Sequence, residues 1–443
     1  MKLLALALML LVCVSSNAQN KKISPKYLKE DLDLLKKVIV QNHPGYHQFI
    51  SKDNLIQKFD SVINSITDSL SESEFHIIVR KTIKNLHCGH TVAKPSTQWY
   101  KENRGKPMLP LKVEICNNKV SIERIFNQNQ EGLGNELISI NSIPVEKIVD
   151  DIKQIHNSDG YGNAHAENAI NTIFSTYHAF LYGIDTVYKI EYRGVDNSIH
   201  SRMIQASKGN VSKEITNKEY KFCLEGPGAS LNYDIGNKAQ LKINSFEQRG
   251  YKKFYKSVFK TIKDSGLSEL ELVLVNNGGG YFPNAMTLLS YLAKEKPSIL
   301  FFRNRKLITD KNLSMDKFSK LTKHLFDLQY NPQSNSEKKY FKKTYRLKQK
   351  YHFDGIMSQV INGGTFSMSS FVAAYLKNKL NVTTYGSESG GGECGSNGIL
   401  MSILKLPNSK IQVYVPMYHV DHQLKDVKPG KGVIPKYIKD CNK

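Results

Sequence analysis

Apolar residues recur at helical spacing in the first part of the chain, between Tyr27 and Leu86. Three stretches have apolar positions three or four residues apart: Leu32, Leu35, Val38 and Ile39; Leu55, Phe59, Val62 and Ile66; and Phe75, Ile78, Val79 and Ile83. This spacing predicts amphipathic helices with one buried face each. His43-Pro44-Gly45 ends the first of them, because proline disfavours helical geometry in the residue before it. We therefore predict an N-terminal helical region at residues 19–104.

From about Met108 the pattern changes to short alternating runs, which are typical of strands with one buried face. A glycine turn, a strand, a second turn and a helix then follow between Leu133 and Ile155. This order resembles the second half of a PDZ-like module, a unit that binds peptide ends by adding a strand to a sheet edge. We expect such a module at residues 105–158. A small β-rich packing domain without a groove would show the same pattern.

Residues 159–443 alternate helical and strand patterns, which predicts a layered α/β core. Residues 160–185 have a helical pattern, and short strands are expected at 400–406 and 411–415. The strand Leu270–Val275 runs into a glycine turn and is followed by a helix. Residues 303–353 are polar and rich in lysine. They are interpreted either as an insertion or lid that borders the functional site, or as a surface excursion.

The N-terminal residues have the pattern of a secretory signal peptide. Met1-Lys2 precede an apolar block from Leu3 to Val14, and small residues stand at Ser16 and Ala18. The pattern predicts removal of residues 1–18 and a periplasmic or extracellular protein. The apolar block is too short to span a bilayer core of about 30 Å, so we expect no stable membrane insertion.

The chain has 443 residues and a formal net charge of +22. Its lysines are spread along the sequence, so the charge is interpreted as a solvated surface and no nucleic-acid partner is expected.

Five of the six cysteines follow the predicted signal peptide at scattered positions: Cys88, Cys116, Cys223, Cys394 and Cys441. They predict neither a disulfide framework nor a zinc site, although one bridge remains open in an oxidising compartment.

Three segments contain the residue types that acyl transfer requires. Ser367 follows a predicted strand and opens a predicted helix, although a serine at such a position is also an ordinary N-cap. The turn Asn276–Gly280 places three glycines at a strand end, where a main-chain N–H can approach a ligand, although a turn that only requires positive φ looks the same. Gly89-His90-Thr91 supplies a histidine, which suits general-base work near neutral pH and is equally common in structural roles.

Taken together and in this order, these segments resemble the C-terminal-processing and tricorn-core family of serine peptidases, the tail-specific proteases. The matching features are Gly89-His90-Thr91, the PDZ-like stretch at 108–155, Asn276–Gly280, Gly364-Thr365-Phe366-Ser367 and the glycine-rich loop Gly386–Gly392, with Leu406-Pro407-Asn408-Ser409 and Gly432-Val433-Ile434-Pro435 after them. The similarity spans nearly all of the chain after the signal peptide.

This resemblance implies a ClpP/crotonase-like core in which Ser367 is the nucleophile. The main-chain N–H groups of Met368 and of a glycine near Gly279 would form the oxyanion hole. One group of members uses a lysine of the glycine-rich loop as base, but Gly392 stands at that place here. The other group uses a histidine of the early motif, which His90 matches. The implied function is an exported endopeptidase or C-terminal-processing peptidase that acts on proteins or peptides without a metal or organic cofactor.

Some positions depart from the family pattern. Val273 and Val275 stand where an Asp and an Arg are usual, and Lys436 replaces a usual Asp. The supporting acid is left open between Glu388 and Asp426. The departures keep a second hypothesis open, a catalytically inactive member that binds peptides or apolar ligands. A thiol hydrolase that uses Cys394 is a third hypothesis, without a recognisable histidine partner. The sequence predicts no oligomeric state.

Overall fold

The computed structural model describes residues 22–208, 220–234, 236–329, 338–425, 427 and 429–438. The predicted signal peptide lies outside these residues. The helices within the described ranges are α1 Pro25–Asn42, α2 Lys52–Ser65, α3 Glu72–Lys84, α4 Thr97–Asn103, α5 Val145–Ile155, α6 Ala164–Tyr182, α7 Tyr251–Asp264, α8 Phe282–Leu292, α9 Lys317–Asp327 and α10 Met368–Leu380. Within the described part of the chain, none of them has the length and apolar character that a membrane crossing requires.

The strands of the described residues form three sheets. Their bounds are β1 Val92–Lys94, β2 Leu111–Cys116, β3 Lys119–Ile125, β4 Glu136–Ile140, β5 Ile143–Pro144, β6 Val187–Arg193, β7 Ile199–Gln205, β8 Phe222–Gly226, β9 Ala229–Tyr233, β10 Lys238–Ile243, β11 Glu269–Val273, β12 Ser298–Asn304, β13 Leu313–Ser314, β14 Lys338–Thr344, β15 Ile356–Ile361, β16 Thr383–Gly386, β17 Gly395–Lys405, β18 Gln412–Asp421 and β19 Tyr437–Ile438. The mixed α/β class expected from the sequence is confirmed.

Helices α1, α2 and α3 occupy the region where the apolar spacing predicts helices. Their buried faces form one core, to which β17 and β18 also contribute. Helix α1 ends at Asn42, just before His43-Pro44. Helix α3 begins with a capping box, in which Ser71 and Glu74 satisfy each other's main-chain N–H groups. The capping box and the packed core thus hold α3 in place. The turn that carries His90 follows the C-terminal end of this helix.

The second unit is a sheet in the order β2-β3-β4-β6-β7, with β5 added to β4. Helices α5 and α6 contribute Ile152 and Phe174 to its core. The sequence pattern predicts that this module ends at residue 158, but β6 pairs with β4 and β7 pairs with β6. The sheet therefore continues to Gln205, because two strands of the region expected to form the α/β core complete it. The helix expected at 160–185 runs from Ala164 to Tyr182.

A seven-stranded sheet, in the order β19-β16-β15-β11-β10-β9-β8, underlies the candidate site. The strands from β19 to β10 are parallel. Helices α7, α8 and α10 share one hydrophobic core with this sheet. Because β11 and β15 are parallel neighbours, the turns that follow them emerge at the same edge, which is where ligands bind in open α/β sheets. The glycine turn and the Ser367 turn are those two turns.

The third sheet has the order β13-β17-β18-β12-β14, with β1 paired to β18. Strands β17 and β18 extend beyond the short strands expected near 400–406 and 411–415. Their pairing shifts register between Gly398 and Met401, and Ile399 between them has φ 70°. The bulge brings this strand beside the turn that carries His90, as the contacts below show.

The polar segment 303–353 is partly built into the core. It contains α9, and β14 pairs with β12 from Ser298–Thr344 to Asn304–Lys338. Phe326 and Phe341 are buried and belong to the main core. The described part of the segment is therefore more than a surface excursion, because a few apolar residues anchor an otherwise lysine-rich sequence.

Candidate active site

Ser367 lies in the turn between β15 and α10, in a backbone conformation that residues with a Cβ rarely adopt. Its φ is 55° and its ψ is −125°. Such a conformation costs about 1–3 kcal/mol, and a strained strand-to-helix turn presents the nucleophile in other hydrolases. Ser367 is the N-cap residue of α10, but its side chain caps no N–H of the helix. The ordinary N-cap explanation of this serine is therefore wrong.

The side chain of Ser367 faces His90 instead. The Nε2 atom of His90 lies 3.0 Å from Oγ of Ser367, across 277 sequence positions. Both residues are partly exposed, with 15% of the His90 side chain accessible to solvent. At this distance an imidazole nitrogen can take the proton of the hydroxyl group. The two residues that the sequence analysis paired are thus in hydrogen-bond contact.

The ring of Phe366 stacks on the imidazole ring of His90 and restricts its orientation. Its centre lies 4.6 Å from the centre of the His90 ring, with 28° between the planes. His165 stacks on Phe366 as well, at 4.4 Å and 2°. Two rings cannot share one face at such distances, so Phe366 lies between the two imidazoles. Burial is the main cause that lowers the pKa of His165, so that ring stays neutral in the stack.

Two glycines leave space for this stack. A Cβ on Gly89 would lie 2.6 Å from the Phe366 ring, and a Cβ on Gly398 would lie 3.2 Å from the His90 ring. A Cβ on Gly89 would displace the Phe366 ring, and one on Gly398 would require the His90 ring to shift by a few tenths of an ångström. Gly89 belongs to the motif that the sequence analysis identified, whereas Gly398 lies at the bulge of β17.

The Ser367 turn is tied to the neighbouring strand and loop. Thr365 is fully buried, and its Oγ1 donates to the carbonyl of Leu274 at 2.8 Å. The carbonyl of Thr365 accepts the N–H of Gly391 at 3.2 Å. Asn362 accepts the main-chain N–H of Asn276 at 2.9 Å through Oδ1. These bonds hold the serine turn and the glycine turn together as one unit.

Met368 places a main-chain N–H beside the serine. It is the first residue of α10, where N–H groups have no acceptor within the helix and favour negative charge. A Cβ on Gly279 would lie 2.8 Å from the Met368 nitrogen, so the glycine turn approaches this N–H as closely as a backbone can. The N–H of Gly279 itself donates to Oδ1 of Asn277 at 2.9 Å. In this structure Gly279 therefore contributes close approach, while its own donor is engaged.

Asn277 braces the glycine turn from within the protein. Its side chain is fully buried, and Nδ2 donates to the carbonyl of Ile243 at 2.9 Å. Its main-chain carbonyl accepts the N–H of Phe366 at 3.0 Å. Through its side chain and its main-chain carbonyl, this one buried residue links the end of β10, the glycine turn and the residue before Ser367.

The two acids proposed from the sequence are not found beside His90 among the described residues. Asp426 lies outside those residues. Glu388 accepts the main-chain N–H of Gly432 at 2.8 Å through Oε1. Glu393, in the same loop, accepts from Lys377 and Asn378 at 2.9 and 2.8 Å. Both glutamates of the loop are thus engaged elsewhere, and no hydrogen bond or ion pair joins either to His90 in the described part of the chain.

Asp159 is the acidic residue that the structure brings to His90. Its Oδ1 lies 3.9 Å from Nδ1 of His90, and its side chain is 6% exposed. No motif in the sequence singles out this residue. It lies in the loop between α5 and α6, where Asp159-Gly160 signals a turn and nothing more. Only the tertiary structure reveals its proximity to the histidine.

The described residues contain no group of three metal-binding side chains. Cys88, Cys223 and Cys394 are free, and Cys116 is disulfide-bonded. Burial, with smaller contributions from nearby carboxylates, raises the pKa of the Cys394 thiol to about 11. Its Sγ donates to the carbonyl of Val427 at 3.1 Å. A thiol held in this protonated state is a poor nucleophile, which argues against the thiol-hydrolase hypothesis.

Residues 237–436 match the sequence model of peptidase family S41. The match contains the glycine turn, Ser367 and the glycine-rich loop, whereas His90 and Asp159 precede it. The comparison with curated protein sequences gives no significant match. Val273, Val275 and Lys436 are thus departures within a range that still matches the family.

The fold is similar to that of CPAF in three solved structures. Mature CPAF is 13% identical, with a TM-score of 0.64 and coverage of 94% of this chain and 92% of CPAF. Mature CPAF complexed with lactacystin is 14% identical, with a TM-score of 0.66 and 94% coverage of both chains. A CPAF mutant is 14% identical, with a TM-score of 0.70 and coverage of 94% and 93%. At this identity the likeness concerns the fold, whereas the sequence match assigns residues 237–436 to peptidase family S41 and indicates a serine-type peptidase.

Proposed function

We propose that this chain is an exported serine endopeptidase or C-terminal-processing peptidase, with Ser367 as the nucleophile and His90 as the general base. The observation that carries the proposal is the 3.0 Å contact between His90 Nε2 and Ser367 Oγ. The strained conformation of Ser367 and the absence of a capping bond support it. A ClpP/crotonase-like core is part of the same proposal.

Acylation begins when Oγ of Ser367 attacks the carbonyl carbon of the scissile peptide bond and His90 Nε2 accepts the hydroxyl proton. The carbonyl oxygen becomes an oxyanion, which the N–H of Met368 at the start of α10 stabilises. The protonated His90 then gives its proton to the leaving nitrogen, and the C–N bond breaks. The N-terminal part of the substrate remains as an ester on Ser367.

Deacylation repeats these steps with water. His90 takes a proton from water while the water oxygen attacks the ester carbon. The bond between that carbon and Oγ breaks, and the proton returns to Ser367. We propose that Gly279 supplies the second oxyanion donor once substrate binding turns its N–H away from Asn277, a rearrangement that glycines permit.

A fluorophosphonate probe tests the nucleophile and the base. The mature protein is expected to take one probe molecule at Ser367, located by peptide mass spectrometry. Ser367→Ala is expected to abolish labelling, and His90→Ala to slow it by about 10²–10⁴-fold, the contribution of a general base. Ser369→Ala is the matched control, because that serine is fully buried and its Oγ has no partner among the described residues. It is expected to be labelled at the wild-type rate.

The rival hypothesis is a family member that binds peptides without cleaving them. Val273 and Val275, in place of the usual Asp and Arg, are the observation that favours it. Such a protein would be folded and would bind peptides, but neither the probe nor a peptide substrate would react. Wild-type protein that stays unlabelled while its melting transition is intact would support this rival and contradict the peptidase proposal.

Peptide pairs separate the two modes of cleavage. An endopeptidase is expected to cut a peptide with a free C-terminal carboxylate and its C-terminal amide at similar rates. A C-terminal-processing peptidase is expected to cut only the free acid, because it recognises the end of the chain. Mass spectrometry of the products gives the bond cleaved in each case.

We also propose export with removal of residues 1–18. The support is the sequence pattern, together with the disulfide at Cys116, which suits an oxidising compartment. The secreted or periplasmic protein is expected to begin at Gln19, which intact-mass measurement checks. A full-length protein retained in the cytoplasm would contradict this part of the proposal.

The module that begins near residue 105 is proposed to be PDZ-like and to bind substrate. The order β2, β3, β4 and α5 supports this proposal. Hydrogen exchange of the Ser367→Ala protein with a substrate peptide tests it. Slower exchange within residues 105–158 is expected on peptide addition, and unchanged exchange there would argue for a packing domain without a groove.

A further inference from the structure

His90 and Asp159 lie close together, and each has one buried polar atom without a hydrogen-bond partner among the described residues. The Nδ1 atom of His90 has no hydrogen-bond partner among the described residues, and neither has Oδ2 of Asp159. Buried polar atoms are nearly always paired in folded proteins, so such orphans mark places of functional interest. The two side chains approach to 3.9 Å between Nδ1 and Oδ1.

The loop that carries Asp159 is fastened to the turn that carries His90. Oδ1 of Asp159 accepts the main-chain N–H of Gly89 at 2.8 Å. The N–H of Gly160 donates to the carbonyl of His87 at 3.0 Å, and the His87 ring lies 3.1 Å from the carbonyl of Gly160 through Nδ1. The carboxylate is therefore held in place by the residue next to His90 and cannot drift away from the imidazole.

We propose that Asp159 is the positioning residue of His90 and completes a Ser367–His90–Asp159 arrangement. The inference rests on the proposed function of Ser367 and His90. A carboxylate at Nδ1 keeps the proton on that nitrogen, so that Nε2 presents its lone pair to the Ser367 hydroxyl, and it stabilises the imidazolium that forms during the reaction. Closing 3.9 Å to hydrogen-bond length needs a shift of about 1 Å, and such contacts tighten when substrate binds.

The surroundings of Asp159 fit this role better than those of the two glutamates in the glycine-rich loop and just after it. Glu388 is occupied by the N–H of Gly432, and Glu393 by Lys377. A Cβ on Gly392 would lie 3.8 Å from Cβ of Asp159. In the other group of the family a lysine occupies the position of Gly392, which lies beside Asp159 here. Because glycine has no side chain, no cation at this position competes with His90 for the Asp159 carboxylate.

The ring tautomer of His90 is the most specific readout. Nitrogen NMR of protein labelled at histidine, with His90→Gln to assign the signal, is expected to show the proton on Nδ1 at pH 8. Asp159→Asn retains an oxygen for the Gly89 N–H but removes the negative charge that favours a proton on Nδ1. The proton is then expected to move to Nε2. A wild-type proton on Nε2, or an unchanged tautomer in Asp159→Asn, would overturn the assignment.

Kinetics test the same role independently. Asp159→Asn is expected to lower kcat and the rate of probe labelling by about 10³–10⁴-fold with little change in KM, as loss of the orienting carboxylate does in serine proteases. Asp159→Glu, which keeps the charge, is expected to retain more activity than Asp159→Asn or Asp159→Ala. A residue that only supported the loop would change stability instead and would not separate kcat from KM in this way.

Glu388→Gln and Asp426→Asn are the controls and are expected to stay within about threefold of wild type, well under the loss of a catalytic contact. If wild type is labelled and Asp159→Asn reacts equally fast, the Asp159 assignment fails while the proposed function stands. If wild type takes no probe, the proposed function fails, and the tautomer still reports the Asp159 contact. Should Asp159→Asn not fold, the wild-type tautomer and Asp159→Glu decide the question.

Discussion

The phenyl ring of Phe366 stacks on the imidazole of His90, with ring centres 4.6 Å apart. Phe366 directly precedes Ser367, so the turn that carries the candidate nucleophile also positions its candidate base. His165 closes the stack from α6 at 4.4 Å. The geometry of the Ser367–His90 pair therefore depends on a ring that takes no part in the chemistry.

Removing this ring is expected to slow acylation. In Phe366→Ala the His90 imidazole loses its stacking surface, and a displacement of about 1 Å costs on the order of 10²-fold in rate. Probe labelling of Ser367 measures the effect. Phe222→Ala is the control, because that ring is 42% exposed and stacks on Tyr233 at the edge of the central sheet. Equal labelling rates for wild type and Phe366→Ala would refute the role of the stack.

A methyl group at position 89 is expected to disturb the same stack. In Gly89→Ala the new Cβ would lie 2.6 Å from the Phe366 ring, so the ring must move. Overpacking of this kind costs about 1–3 kcal/mol of stability, and labelling is expected to slow together with it. The control for stability is Gly278→Ala, whose Cβ would meet nothing within 4 Å. Urea unfolding compares the two variants, and equal stabilities would contradict the prediction.

The strain at Ser367 can be measured by comparing two inactive variants. At φ 55° and ψ −125°, Ser367→Gly removes a Cβ that Ser367→Ala retains. Glycine accepts this conformation, so Ser367→Gly is expected to be more stable than Ser367→Ala by about 1 kcal/mol or more. The free energy of unfolding in urea gives the difference. A less stable glycine variant would contradict the prediction, because the strain in the turn would then be smaller than the entropic cost of glycine.

Acid is expected to destabilise the protein through buried histidines near the site. Burial is the main cause that lowers the pKa of His43 to about 3, from about 6.5 in an unfolded chain. The folded state therefore binds no proton there when the unfolded state does. Stability is complete above about pH 6.5 and falls by about 1.4 kcal/mol per pH unit for this histidine as the pH decreases toward 3.

The hydrogen bonds of the His43 ring also favour its neutral form. Its Nδ1 accepts the N–H of Gly45 at 3.3 Å, while Nε2 lies 3.1 Å from Oγ1 of Thr91. A proton on Nδ1 would break the first contact. His43→Gln is expected to make the dependence of unfolding free energy on pH shallower between pH 6 and 4. Identical slopes in wild type and His43→Gln would count against this explanation.

Periodicity and motif order predicted the parts of this protein whose signals are local. The apolar spacing predicts the three N-terminal helices. The turns that carry Ser367 and the three glycines are predicted by glycine-rich segments that directly follow strand patterns. Their meeting at one sheet edge is a consequence of parallel pairing between β11 and β15. The order of the motifs, rather than any one of them, led to His90 as the partner of Ser367.

What the sequence did not predict depends on contacts between distant residues. Asp159 belongs to a loop whose pattern indicates only a turn, and its hydrogen bond to Gly89 is tertiary. The sequence of β6 has no feature that predicts pairing with β4 rather than a place in the seven-stranded sheet. The polar segment 303–353 hides Phe326 and Phe341, because two buried rings hardly change a lysine-rich composition. The engagement of the Gly279 N–H by Asn277 is likewise visible only in the folded chain.

The most direct test of the central claim is the mass of the purified protein after reaction with a fluorophosphonate probe. One adduct, mapped to Ser367, is expected in wild type and in Ser369→Ala, with none in Ser367→Ala and a slowed reaction in His90→Ala. A folded wild-type protein that takes no adduct, or an adduct that persists in Ser367→Ala, would contradict the account.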